Sequence, residues 1–84
     1  VHLMHAYPNP VHDDLTIDID LRSKTHCIIR LFSADGQLLR TIYDQPDVSG
    51  QKSFSVSLRD IAPQKLYLTM HTNEGVIVRE VVRG

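Results

Sequence analysis

Alternation of apolar and polar residues is the main pattern along this chain. In segment 15–21 every second residue is apolar, with threonine or aspartate between, and segment 53–58 alternates apolar residues with serine. Neighbouring side chains of a β-strand point to opposite faces of the sheet, so this period indicates half-buried strands. Segment 27–32 is rich in β-branched and aromatic residues, which also favours a strand. No segment keeps a helical period beyond two turns, and the pattern therefore predicts an all-β protein.

Turn-forming residues separate these segments and predict two hairpins. Ser33-Ala34-Asp35-Gly36 forms a tight turn in which Gly36 supplies the positive φ, and residues 38–43 return as the partner strand. Asn73-Glu74-Gly75 similarly joins a strand at 66–72 to a final strand at 76–82.

A longer connection is predicted at Asp44–Gly50, which is rich in turn formers and broken by Pro46. With Leu3–Tyr7 included, the chain has six or seven short strands at the spacing of a β-sandwich. We therefore expect a small immunoglobulin-like antiparallel β-sandwich of about seven short strands in two sheets. The residues expected to be largely buried are Leu15, Ile17, Ile19, Ile29, Leu31, Phe54, Val56, Leu58, Leu68, Met70, Val76 and Val78.

Composition limits the classes of function. Eighty-four residues fit one small domain with a thin core, and 42% hydrophobic residues argue against disorder. Nine basic and ten acidic residues are interspersed, so there is no basic stripe to bind a nucleic-acid backbone. No run of about 18 apolar residues exists, which argues against a membrane-spanning helix. The first residues lack the blocks of a signal peptide, so any export signal is expected on an upstream part.

Sequence motifs of catalysis are absent. The chain has no Gly-x-Ser-x-Gly elbow, no Cys–His arrangement and no glycine-rich phosphate loop, so we expect no enzyme activity and no cofactor. Cys27 is the only cysteine, which excludes an internal disulfide, and we expect it to be a small buried hydrophobic residue in a strand.

Five histidines raise the alternative of a metal site. A zinc site needs three or four ligands that converge on one point. His2 and His5 are three residues apart, which places them on opposite faces of a strand, and the others fall near separate turns or on another strand. We expect exposed or partly packed side chains and no metal. The histidines are His2, His5, His12, His26 and His71.

Asp18 and Asp20 raise the alternative of acid–base chemistry on a sugar. They project from one face of a strand, about 6.5–7 Å apart at the backbone. Nothing nearby in sequence suggests a raised pKa, so a water-facing sheet surface is the favoured interpretation.

Three motifs occur in a fixed order. Tyr7-Pro8-Asn9-Pro10 precedes Asp14-Leu15-Thr16-Ile17; Leu31-Phe32-Ser33 precedes Asp35-Gly36-Gln37-Leu38-Leu39; and the turn at Gly75 leads into Val78–Arg83. In these motifs and their spacing, nearly the whole chain resembles the C-terminal sorting domain family of the bacterial type IX secretion system (Por secretion system). The motif residues of the first two stretches are Pro8, Asn9, Pro10, Asp14, Leu15 and Gly36.

The third motif departs from the family pattern, an acidic-Leu-x-x-Gly-x-Tyr turn. Counted from Asp60, Gln64 stands at the usual Gly position and Leu66 at the usual Tyr position, with Tyr67 displaced by one. We interpret this as a local change within 62–65, since the strand that follows keeps its inward phase.

The resemblance implies a label on a larger exported cargo. The cargo would pass through the periplasm, the type IX outer-membrane translocon would recognise the label, and a sortase-like peptidase would remove it. The cargo would then be anchored at the cell surface or released outside the cell. Such domains have no catalytic residues. Recognition is expected in the final strand and its turn, at Gly75, Val78, Arg79, Val81, Val82 and Arg83.

The expected organisation is a linker or edge strand at 1–6 and the sorting domain at 7–84. Pro8 and Pro10 stiffen the start of the domain, so the cut is expected within Val1–Ala6 or just upstream. If residues 1–6 form a paired strand, the cut must lie upstream of Val1.

Two other classes remain open. An immunoglobulin-like adhesion or carbohydrate-binding module of an exported enzyme would need a row of exposed aromatic residues, and this chain has five aromatics and no tryptophan. A small hydrolytic domain would need a pocket of convergent titratable groups. Sequence context discriminates them: a parent chain that ends at or next to Gly84 favours the label.

Overall fold

The computed structural model describes residues 1–84 and contains five β-strands and no helix. All neighbouring strands are antiparallel, in the order β1-β2-β4-β5, with β3 also paired to β2. No helix that could traverse a lipid bilayer is present. The strands are β1 (Leu3–Tyr7), β2 (Asp14–Ser33), β3 (Leu38–Ser57), β4 (Gln64–Thr72) and β5 (Gly75–Arg83).

The long strand β2 organises the fold because its two halves have different neighbours. Residues 16–20 lie between β1 and β3, whereas residues 28–32 lie between β3 and β4. Register shifts interrupt the β2–β3 pairing between these halves, and such irregularities bend and twist a sheet. The sheet therefore curls, and β1 comes into contact with β5 around a single core.

The predicted all-β antiparallel fold is confirmed, but five strands form one curled sheet instead of about seven strands in two sheets. Predicted segments 15–21 and 27–32 join into β2, and segments 38–43 and 53–58 join into β3, which ends one residue before Leu58. The predicted loop at Asp44–Gly50 is wrong, because these residues continue β3. Pro46 and Asp47 of β3 both lie opposite the single residue His26 of β2, which makes a bulge between two paired positions. Proline is tolerated at such a bulge on an outer strand, where it need not donate a ladder hydrogen bond.

The core follows the alternating pattern in β1, β2 and β4, whereas β3 contributes only Val56 as a buried residue. Fifteen hydrophobic residues are buried in one cluster, including Cys27, as predicted. Phe54 is only partly buried, and its ring packs on Tyr43 with centroids 4.8 Å apart. Burial raises the pKa of the Cys27 thiol, which disfavours the reactive thiolate. The predicted core residues that are buried are Leu15, Ile17, Ile19, Ile29, Leu31, Val56, Leu58, Leu68 and Met70.

The predicted phase of β5 is wrong. Val76 and Val78 are 52% and 48% exposed, whereas Val81 is buried and Ile77 packs against the core. The β4–β5 register sets this phase, because Ile77 pairs with the buried Met70 and Val78 pairs with Thr69 on the other face. The apolar residues of β5 therefore lie on both faces of the sheet.

The predicted hairpin turns are confirmed. Gly36 has a φ of 91°, and its N–H donates to the carbonyl of Ser33 over 3.0 Å. Gly75 has a φ of 113° where β5 begins. The departure from the family pattern at 62–65 leaves Leu66 buried, so β4 keeps its predicted inward phase.

Candidate recognition surface

The Pro-Asn-Pro motif lies against the end of the final strand. The side-chain oxygen of Asn9 accepts the N–H of Val82 over 2.9 Å, and its Nδ2 donates to the carbonyl of Glu80 over 3.1 Å. Pro8 and Pro10 have no N–H, so this segment cannot form a continuous ladder of its own. The Asn9 amide has both a donor and an acceptor, and it takes the place of a peptide group beside β5.

Val11 extends the same contact by one residue. Its N–H donates to the carbonyl of Val82 over 2.8 Å, and its carbonyl accepts the N–H of Gly84 over 2.9 Å. Val11 and Arg83 form a parallel bridge, and the Val11 side chain is fully buried. Residues 9–11 thus close the outer edge of β5 from Glu80 onward.

Three of the predicted recognition residues serve this closure. Val81 is 1% exposed, and the backbone of Val82 is bonded to residues 9–11. Arg83 donates from Nε to the carbonyl of Leu58 over 3.0 Å and from Nη1 to the carbonyl of Gly84. These residues are engaged within the fold.

The other three predicted recognition residues, Gly75, Val78 and Arg79, remain exposed. At this end β5 pairs with β4 on one side and with no strand on the other. The Nη1 of Arg79 donates to the carbonyl of Val78 over 3.0 Å. These three residues are therefore exposed, although β1 also contacts β5.

The second motif reaches the same end of the sheet. Ser33, at the start of the Gly36 turn, pairs with Leu66, and Leu66 pairs with Val81. Of the remaining motif residues, Leu15 is buried, and Asp14 is exposed with its carboxylate 3.7 Å from Arg59. The motifs that are far apart in sequence thus meet where β5 ends.

The histidines are dispersed, and the structure brings no three His, Cys, Asp or Glu side chains together. His2 is 1% exposed, and its Nδ1 accepts the N–H of Arg22 over 3.1 Å while Nε2 lies 3.2 Å from the Asn73 oxygen. His5 is exposed on the opposite face of β1. The sequence analysis did not predict that His2 is buried. The signal for it is Met4, an apolar residue two positions further on, whose side chain points to the same, inward face.

The Asp18–Asp20 pair lies beside a shallow depression of about 470 Å³ over β1, β2 and β3. Asp18 accepts hydrogen bonds from Ser53 Oγ and from the Tyr7 hydroxyl, each 2.6 Å long. These bonds lower the pKa of Asp18, that from Ser53 most strongly. Asp20 accepts from Arg22 Nε over 2.8 Å. A general acid for glycoside cleavage needs a raised pKa, so the lowered pKa of Asp18 argues against that role for it.

Comparison with known families agrees with the motif geometry. The family model of the secretion system C-terminal sorting domain matches residues 5–82, which include the last three residues of β1 and all but the last residue of β5. No curated protein and no solved structure matches the chain. The chain belongs to the type IX secretion C-terminal sorting domain family.

Proposed function

We propose that this domain is a removable, non-catalytic label that passes through the periplasm with a cargo attached in front of it. Its family consists of C-terminal sorting signals for type IX secretion, which implies export to the cell surface or extracellular space. The match over residues 5–82 is the observation that carries the proposal. The type IX outer-membrane translocon and a sortase-like peptidase are the proposed partners.

The architecture supports a label that folds independently of its cargo. One core of fifteen buried hydrophobic residues unites all five strands without a disulfide. Burial of this apolar surface is the main source of stability in a domain of this size. A carbohydrate-binding module is less well supported, since Tyr43 and Phe54 pack on each other and leave no aromatic row.

The translocon is proposed to read β5 and the turn before it. Because 80–83 is closed by residues 9–11, the accessible part of this surface is Gly75–Arg79 together with Asn73 and Glu74. Deleting 81–84 would remove buried Val81, so that deletion tests folding and recognition together.

The cut that separates label from cargo is proposed to lie upstream of Val1. Leu3–Tyr7 pairs with β2 along its whole length, and His2 and Met4 are buried. A peptidase needs an extended and accessible backbone, which this segment does not offer. The position within Val1–Ala6 suggested by the sequence is therefore replaced by the upstream one.

Deletion of residues 5–82 from the parent protein tests the function. We expect the cargo to remain folded and to accumulate in the periplasm of a bacterium with type IX machinery, whereas the intact protein reaches the surface. Cell fractionation and surface proteolysis measure this distribution. Surface delivery of the deleted protein at the normal level would reject the proposal.

A further inference from the structure

The domain holds the start of its chain firmly as far upstream as His2. The His2 side chain is 1% exposed, its Nδ1 accepts the N–H of Arg22 over 3.1 Å, and its own N–H donates to Glu74 Oε1 over 3.2 Å. Leu3 pairs with β2, whereas Val1 is 83% exposed. A chain that continues upstream therefore leaves the domain from one defined point, between β2 and the β4–β5 turn.

Two segments that are far apart in sequence flank this point. One is the β4–β5 turn, and the other is the stretch of β2 where its pairing with β3 is interrupted. The Asn73 N–H donates to Thr25 Oγ1 over 2.9 Å, and Thr25 is 4% exposed, so the two segments are fixed to each other as well as to His2. We call the flanking residues Arg22–Lys24 and Asn73–Gly75, which are all exposed, the exit face.

The exit face lies within reach of a protein that cuts the chain a short way upstream. An extended chain spans at most about 3.6 Å per residue, so a bond about four residues ahead of Val1 lies within about 14 Å of it. A protein interface of ordinary size covers about 800 Å² on each partner, which is a patch about 28 Å across. A peptidase that surrounds such a bond therefore meets the exit face.

We propose that the sortase-like peptidase docks on the exit face and cuts at a set distance upstream of Val1, whatever the sequence of the cargo at that bond. The inference rests on the proposed removal of the label and names the surface that directs it. The cut breaks one peptide bond, whose nitrogen becomes the amine at the start of the released label. The acyl carbon of the cargo passes to the nucleophile of the peptidase, and then to water or to the amine of a surface anchor.

The alternative is a peptidase that recognises the residues on either side of the bond. The label itself offers no such stretch, because Leu3–Tyr7 is paired with β2 along its whole length and Met4 is buried. The part of the substrate that belongs to the label is therefore the exit face. Since His2 fixes the start of the chain, the number of residues between Val1 and a bond limits how far that bond lies from the exit face.

Insertion of about twenty flexible Gly and Ser residues directly before Val1 of the parent protein separates distance from sequence. If the exit face sets the cut, the peptidase cuts inside the insertion. Intact-mass analysis then finds a released label with its original number of residues and with Gly and Ser at its start. A label that is longer by the whole insertion, or complete loss of removal, would overturn the proposal. The insertion leaves residues 1–84 unchanged, so folding of the domain is not at issue.

A bulky residue on the exit face tests the docking itself. Ser23→Tyr places a ring there, and Ser55→Tyr is the control, because both serines are exposed strand residues. Ser55 lies near the other end of β1, since Thr16 pairs with both Ser55 and Tyr7. Among molecules that have reached the surface, we expect removal of the label to be at least about tenfold slower in Ser23→Tyr than in Ser55→Tyr. Equal removal in two variants that are folded by thermal unfolding would overturn the proposal.

The outcomes separate this inference from the sorting function. A surface protein whose label is cut at the unchanged cargo bond despite the insertion rejects only the docking on the exit face. A surface protein that always keeps its label rejects removal and the exit face together. An unmodified parent protein that stays in the periplasm rejects the sorting function itself.

Discussion

Asn9 and Val82 are joined by a 2.9 Å hydrogen bond across 73 residues of sequence, from the Val82 N–H to the Asn9 side-chain oxygen. The bond fixes the segment after β1 to the end of β5, and a second bond from Asn9 reaches Glu80. The Pro-Asn-Pro motif near the start of the chain therefore supplies hydrogen-bond partners for the last residues of β5. This explains why a Pro-Asn-Pro motif and a terminal strand occur together in one domain.

Replacement of Asn9 by alanine should loosen the end of β5. The change removes two hydrogen bonds, so we expect the free energy of unfolding to fall by about 1–2 kcal/mol. Asn9→Asp is a partial control, because it keeps the acceptor for Val82 but replaces the donor to Glu80 with an oxygen that repels the Glu80 carbonyl. Urea denaturation measures the stability, and hydrogen exchange should show faster exchange of the Val82 amide in Asn9→Ala. Unchanged exchange at Val82 would contradict this role of Asn9.

The Asp18 hydrogen bonds should make stability depend on pH at the acid end. The folded pKa of Asp18 is lowered, chiefly by Ser53 and then by Tyr7, from the ordinary 3.8. The stabilisation is therefore present above the unfolded pKa and is lost as pH falls through the folded pKa. Ser53→Ala should be less stable than the parent at neutral pH, and the difference should shrink below about pH 4. Urea denaturation across this range measures it, and a difference that is constant with pH would contradict the assignment.

The contribution of Tyr7 to stability should depend on pH with the opposite sign, and it should be lost at alkaline pH. The Asp18 hydrogen bond raises the pKa of Tyr7 above its ordinary 10.0. This contribution is present below the unfolded pKa and is lost as pH rises through the folded pKa. Tyr7→Phe should therefore lose its stability deficit relative to the parent above about pH 10. Absorbance titration of the tyrosines checks the shift directly, since a Tyr7 that ionises at its ordinary pKa would refute it.

Loss of the His2 side chain should weaken the attachment of β1. Without Nδ1, the Arg22 N–H loses its acceptor, so we expect His2→Ala to lower the free energy of unfolding by about 1–3 kcal/mol. His5→Ala on the exposed face of β1 is the control and should change stability by less than about 0.5 kcal/mol. Equal stability losses in the two variants would show that His2 has no special role.

Release of the cargo should leave β1 on the label. Intact-mass analysis of the domain recovered after secretion is expected to give a fragment that includes Val1 and begins upstream of it. Pairing of Leu3–Tyr7 with β2 protects this segment from a peptidase. A new N-terminus between Leu3 and Ala6 would show that β1 detaches before cleavage.

The strand segments of this fold could be predicted from sequence, but their continuity could not. Alternation within 15–21 and 27–32 identified buried residues such as Ile17 and Leu31 correctly. It did not show that both segments belong to β2, because the irregular pairing between Leu21 and Cys27 depends on β3. Turn-forming residues at 44–50 predicted a loop, because their pairing with β2 is likewise not visible in the local sequence.

The surface at β5 was predicted in part. Val76, Ile77 and Val78 are three consecutive apolar residues, so periodicity alone does not decide which of them faces the core. Pairing of Met70 with Ile77 decides it, and this pairing follows from a two-residue Asn73–Glu74 loop. The contact between Asn9 and Val82 has no local signal at all, because it joins the two ends of the chain.

Transfer of this chain to an unrelated passenger tests the central claim most directly. Residues 1–84 are fused behind a folded periplasmic reporter, and protease access on intact cells with type IX machinery measures the fraction of reporter at the surface. We predict that most of the fused reporter reaches the surface, while the reporter alone and the fusion in cells without the translocon stay in the periplasm. A fusion whose label is folded and whose reporter nevertheless remains in the periplasm would contradict the sorting function.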